Sequence, residues 1–174
     1  MKTKSLVLMS LLTAVGAALY LVIPPIVGGM KPDFMLTMMF IGILLFPQAR
    51  NVFLLGMTTG LLSGMFSSLP GSLIPNVIDK LITAFVIYVI IITFKKIAGH
   101  LIAASVVAGL GTLLSGTIFL SVAIFIFGIN LPFKALFLGV VLPAVAMNGI
   151  AFFLIYPIVK NLVKRSSFKT AFSN

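Results

Sequence analysis

In the stretch "LIPNVIDKLITAF" a carboxylate and an ammonium, Asp79 and Lys80, stand side by side within a run of apolar residues. Charges at the centre of a membrane helix cost about 2.5–3.5 kcal/mol each on insertion scales. Where they persist they face a bundle interior and mark a functional path. Adjacent residues on a helix do not face each other, so each of the two is expected to need a partner from elsewhere in the chain. Candidates are Lys31 and Asp33 in "GGMKPDF", Asn130 and Lys134 in "GINLPFK", Asn76 just ahead of the pair, and Asn148 in "PAVAMNGIAFF". Together they outline a pocket of both charge signs that suits a small zwitterion, with carboxylate to Lys, ammonium to Asp, and the apolar part against Phe, Met and Gly. Plainer assignments compete. Lys31, Asp33 and Lys134 read equally as solvated loop residues, Asp79 as half of a structural ion pair with one of those lysines, and Asn148 as a helix–helix hydrogen-bonding group worth about 0.6 kcal/mol.

The remaining inventory narrows the chemistry. Asp33 and Asp79 are the only acids, His100 is the only histidine, and there is no cysteine. Disulfides and thiolate sites are therefore impossible, and most hydrolytic and metal chemistry lacks its donors. No nucleophile–base–orienter set can be assembled, and Asp33, beside Pro32, reads as a helix start. No GxxxxGK[ST] loop is present for ATP hydrolysis. The expectation is no catalytic residue, no metal ligand and no cofactor in this chain. His100 reads as interfacial, and Tyr20, Tyr88 and Tyr156 as packing or interfacial aromatics.

The elements that must position these groups follow from composition. Of 174 residues, 61% are hydrophobic and only 8% charged, with a mean hydropathy of +1.29, whereas a soluble domain carries about 25% charged residues. Its solvent must be lipid: the sequence predicts an all-α integral membrane protein. The net charge of +10 comes from twelve Lys and Arg scattered at the ends of oily runs, so no nucleic-acid partner is expected. Spanning the hydrocarbon takes roughly 20 apolar residues. Six segments meet or approach that length: Ser5 to Ile23, Pro32 to Phe46, Val52 to Phe66, Leu73 to Phe94, His100 to Phe127 and Phe133 to Val163. The first continues through "LYLVI" to Pro24-Pro25, too long for the apolar region of a signal peptide, and is read as a retained helix. The second and third look short: either they start deeper, or irregular chain between them is buried against protein. Turn chemistry separates the segments, and no linker divides them, so residues 1–174 read as one compact bundle of six transmembrane helices. With the N terminus inside, Lys2, Lys4, Arg50, Lys95, Lys96, Lys160, Lys164, Arg165 and Lys169 fall on the cytoplasmic side, against Lys31, Lys80 and Lys134 outside. That bias predicts cytoplasmic N and C termini.

Small residues mark the packing faces. "GMTTGLLSG" spaces Gly56, Gly60 and Gly64 at four-residue intervals, and "GLGTLLSG" supplies Gly109, Gly111, Ser115 and Gly116. In lipid such residues let helix backbones approach, and packing within the chain is the expectation for both. In "LLTAVGAALYLVIPP", Ala14 and Ala18 share a face with Ala17 beside them, a surface for packing within the chain or for a partner subunit.

Three stretches carry a wider likeness: "MSLLTAVGAALYLVIPPIVGGMKPDFMLTMMFI", "PGSLIPNVIDK" and "PAVAMNGIAFFLIYPIVKNLVK". Through them essentially the whole chain resembles the bacterial tryptophan transport proteins, relatives of the substrate-binding components of energy-coupling factor transporters. The resemblance implies a multi-pass protein of the bacterial cell membrane with tryptophan as substrate. It also implies a transmembrane coupling subunit driven by cytoplasmic ATPases, so that ATP is used by a partner. Components of that kind carry an Ala-xxx-Ala motif on the first helix that packs on the coupling subunit; Ala14 and Ala18 match it. The chain contains no Trp, which is compatible with synthesis during tryptophan starvation. Two other functions compete: a stand-alone amino-acid importer coupled to ions through Asp33 or Asp79, and a membrane scaffold of the cell-wall elongation machinery, which would need no pocket.

Overall fold

The computed structural model describes residues 3–24, 31–67, 69–94 and 96–165. Lys2, Lys95 and Lys169, counted in the charge bias, lie outside the described residues, as does "PIVGGM" between the first two segments. The described chain forms six helices: α1 (Thr3–Val22), α2 (Phe34–Leu45), α3 (Ala49–Met65), α4 (Leu73–Thr93), α5 (Leu101–Ile126) and α6 (Phe133–Arg165). The apolar segments anticipated these within a few residues, because proline, glycine and polar clusters end helices locally. α1, α4, α5 and α6 are each long and apolar enough to cross a membrane.

α2 shows how the second segment can be short. Its twelve residues span only about 18 Å at 1.5 Å per residue, yet every one of them is buried. α2 packs against each of the other helices and is the axis of the bundle. Length matched to lipid is required only of a helix that touches lipid. The chain leading into α2 is irregular at residues 31–33 and is buried or half-buried against protein, the setting in which non-helical backbone is tolerated at membrane depth.

With no hydrophobic drive between helices in lipid, close packing must hold the bundle together. The α3 glycines do this against α4: a Cβ on Gly60 would stand 2.7 Å from the Val77 Cα, and one on Gly64 would stand 2.7 Å from the Leu73 Cα. On α5, Gly111 leaves the notch that the Phe40 ring of α2 fills, a Cβ there falling 2.7 Å from the Phe40 Cζ. Gly116 does the same for Val141 of α6. Three methionines in α2, Met35, Met38 and Met39, fill the irregular space around the axis.

α5 and α6 each contain a π-helical turn, Val122–Ile126 and Phe137–Val141. α5 stops where Gly128 adopts φ +64° and the Ile129 N–H donates to the Ala123 carbonyl at 3.0 Å. Glycine takes this left-handed conformation without steric cost. The two widened turns flank that reversal, and Val140 and Val141 bring the second of them to the wall of the cavity described next.

Candidate functional site

Asp33 opens α2 as its N-cap: Oδ1 accepts the Leu36 N–H at 2.9 Å and the main-chain carbonyl accepts from the Thr37 hydroxyl at 3.0 Å. An Asp at this position satisfies an amide that the helix leaves unpaired. The backbone N–H of Asp33 donates to Asn148 Oδ1 of α6 at 2.7 Å, and Asn148 Nδ2 donates to Thr112 Oγ1 of α5 at 3.2 Å. Three helices are thereby tied together through one amide side chain that is 2% exposed.

Asp79 and Lys80 correct the expectation that neighbours on a helix cannot pair. Lys80 Nζ lies 2.8 Å from Asp79 Oδ2. Their Cβ atoms do diverge, but the four-carbon lysine stem is long enough to bring its ammonium back to the adjacent carboxylate. The pair is not alone. Lys80 Nζ donates to Ser115 Oγ at 2.9 Å, Ser115 Oγ donates to Asp79 Oδ2 at 2.8 Å, and Thr83 Oγ1 donates to Asp79 Oδ1 at 3.0 Å. Asp79 is 0% exposed and holds a donor on each oxygen. The same Lys80 ammonium is 3.5 Å from Asp33 Oδ2, so both acids of the chain converge on one lysine.

These groups line a cavity of about 470 Å³, within the usual range of roughly 300–1,000 Å³ for small-molecule sites. It lies at the end of the bundle opposite residues 3 and 165. Its lining combines polar residues, among them Asp33, Asn76, Lys80, Thr112 and Asn148, with apolar ones such as Phe119, Leu131, Leu136 and Val140. Six of the seven substrate-site candidates named from sequence, Lys31, Asp33, Asn76, Asp79, Lys80 and Asn148, border this cavity. Asn76 turns its Nδ2 to the Ser72 carbonyl at 2.9 Å. Lys31 is half-buried, donates to the Tyr20 carbonyl in the last turn of α1, and lies 3.9 Å from the Tyr20 ring centroid. Its charge thus caps a helix C-terminus.

The seventh, Lys134, stands exposed in the first turn of α6 and does not border the cavity, and Asn130 is exposed as well. Thr83, Thr112 and Ser63 were missed. Thr83 follows Asp79 by four residues and therefore shares its face, a signal readable in the sequence. In the sequence Ser115 stands only as a small packing residue; its contacts depend on how α5 crosses α4.

On α1 the small residues divide. Gly16 faces α2, where a Cβ would meet the Phe34 carbonyl at 3.0 Å. Ala14 and Ala18 are exposed and Ala17 is half-buried.

The family model "Tryptophan transporter TrpP" matches residues 2–164. The chain belongs to this family. It is 50% identical over 171 residues to the "Probable tryptophan transport protein" of Bacillus subtilis (strain 168), covering 98% of this chain and 99% of that protein. Proteins of the same description in Clostridium acetobutylicum and Clostridium perfringens are 38% and 37% identical, with 94% and 95% of this chain covered and 96% of each relative. No solved structure matches the chain. Family membership and the long apolar helices make it a multi-pass membrane protein of bacteria.

Proposed function

We propose that this chain carries tryptophan into the bacterial cell as the substrate-binding subunit of an energy-coupling factor transporter, its cavity being the tryptophan site. The cavity carries this reading: its lining joins charges of both signs to apolar side chains, which is what a free amino acid with a large side chain requires. The Lys/Arg bias assigns the cavity end of the bundle to the outside, where an importer meets its substrate. The names of the family and of the relatives supply the indole.

Ala14 and Ala18 support a coupling partner. They lie exposed on α1 among Val7, Leu11 and Val15, so the shaved face is left free while Gly16 serves the packing inside the bundle. ATP would be hydrolysed by the partner, with no cofactor and no reaction in this chain. Ion coupling through Asp79 is disfavoured because a lysine ammonium and two hydroxyls already occupy its oxygens. A scaffold has no use for the cavity.

The test is titration of the detergent-purified chain with L-tryptophan, reading the ligand's indole fluorescence against a protein that has no Trp. Saturable binding by the isolated chain is expected. In cells, uptake should continue under a protonophore while ATP is maintained. Absence of binding up to millimolar tryptophan would remove the reading.

A further inference from the structure

We infer that Asp33 and Lys80 together read both charges of a free α-amino acid, its ammonium on Asp33 and its carboxylate on Lys80, so that the site selects zwitterions over indoles carrying one charge or none. This rests on the cavity being the tryptophan site.

Elimination among the charged groups leads to this pair. Lys134 is exposed and away from the cavity, and Lys31 is engaged by the Tyr20 carbonyl and ring. Lys80 is the remaining cation lining the cavity. Asp79 is fully buried and already accepts from Lys80, Ser115 and Thr83. Asp33 is different. Its Oδ1 is held by the Leu36 amide, but Oδ2 makes only the 3.5 Å approach to Lys80, longer than a good hydrogen bond of about 2.7–3.2 Å. Its side chain is 31% exposed. Lys80 likewise has two short bonds, to Asp79 and Ser115, and one loose one to Asp33. Each partner therefore has one weakly used position, and both residues line the cavity.

A zwitterion laid antiparallel to the Asp33–Lys80 pair shares the ammonium hydrogen that makes only the loose approach to Asp33 and leaves the short bonds to Asp79 and Ser115 in place. Four charges of alternating sign then close a ring. The four charged side chains on the cavity, Lys31, Asp33, Asp79 and Lys80, already sum to zero, and a zwitterion leaves the sum at zero. A ligand with only an ammonium or only a carboxylate adds a net charge where the dielectric is low and attraction and repulsion are both amplified. It also leaves one member of the pair without its complement, the situation in which buried polar sites reject analogues most strongly.

The experiment measures binding of L-tryptophan, tryptamine and indole-3-propionate to the wild type and to Asp33→Asn, by the fluorescence of the ligands themselves. Asparagine keeps an oxygen for the Leu36 amide and is a good N-cap, so the helix start is preserved. The wild type is expected to prefer tryptophan over both analogues by about 100-fold or more. Asp33→Asn should lose most of its discrimination against indole-3-propionate, because the charged side chains on the cavity then sum to +1 and favour an anion, while still rejecting tryptamine. Equal weakening of all three ligands by the substitution would overturn the inference, as would a wild type indifferent to ligand charge; in both cases the tryptophan site itself would stand. A wild type that binds none of the three overturns the site as well. The ligand series on the wild type decides the matter even if the variant folds poorly.

Discussion

Asp33 and Asn148, 115 positions apart, are joined by a 2.7 Å hydrogen bond from the Asp33 backbone N–H to the Asn148 side-chain oxygen. The bond holds the irregular entry to α2 against the middle of α6 and gives the half-buried Asp33 amide an acceptor. Asn148→Leu should therefore leave the Asp33 N–H unsatisfied, at a cost of about 1–3 kcal/mol. It should also weaken tryptophan binding by loosening Asp33. A thermal shift measured in detergent with and without tryptophan checks both effects, and an unchanged midpoint would mean the bond contributes nothing.

The buried charge cluster should respond to pairing more than to charge itself. Asp79→Asn leaves Lys80 with Ser115 and a distant Asp33, and breaking such a buried pair costs about 3–5 kcal/mol. The double variant Asp79→Leu with Lys80→Met removes both charges and is expected to unfold at a higher temperature than Asp79→Asn, though without tryptophan binding. Unfolding curves for the three proteins make the comparison.

Packing of α3 on α4 is tight enough to be tested with one methyl group. Gly60→Ala places a Cβ against the Val77 backbone, which cannot step aside as a side chain could. Overpacking of this kind costs about 1–3 kcal/mol. Gly139 has nothing within 4 Å of its added Cβ, so Gly139→Ala serves as the tolerated control. The yield of monodisperse protein after extraction should fall for the first and hold for the second.

The orientation of the bundle has a direct readout because the chain has no cysteine. Lys134 is exposed and lies outside the cavity wall, so Lys134→Cys should fold normally. A membrane-impermeant maleimide added to intact cells is expected to label it. Labelling only after the cells are opened would reverse the orientation predicted from the Lys/Arg bias.

Ala14→Leu combined with Ala18→Leu enlarges an exposed face of α1 without touching the cavity. The purified variant should bind tryptophan like the wild type, while uptake in cells falls by tenfold or more, on the order of the loss of a well-packed helix contact worth about 1.4 kcal/mol. Uptake at the wild-type rate would show that this face meets lipid only.

Much of the architecture is legible in the sequence because its causes are local. Proline, glycine and polar clusters stop helices where they occur, so the six segments could be placed within a few residues. The four-residue glycine interval in "GMTTGLLSG" identifies a helix face whatever that face meets. The short second segment was harder: nothing in "FMLTMMFIGILL" states that the helix is encased on all sides, because an apolar run looks the same whether lipid or protein surrounds it.

Composition and local turn chemistry suffice to show that the solvent is lipid, that the segments are helical, and which few residues carry charge into it. What those charges do follows from how the helices cross. The tertiary structure placed Lys134 outside the cavity, engaged Lys31 at the end of α1, and curled the Lys80 stem back onto Asp79, which a rule about neighbouring positions on a helix does not foresee. It also brought Asp33 from α2 and Ser115 from α5 to the same ammonium. The physical reason is that a side chain's partners depend on the crossing of helices distant in sequence and on the reach of long side chains, and neither quantity is written at the position of the residue itself.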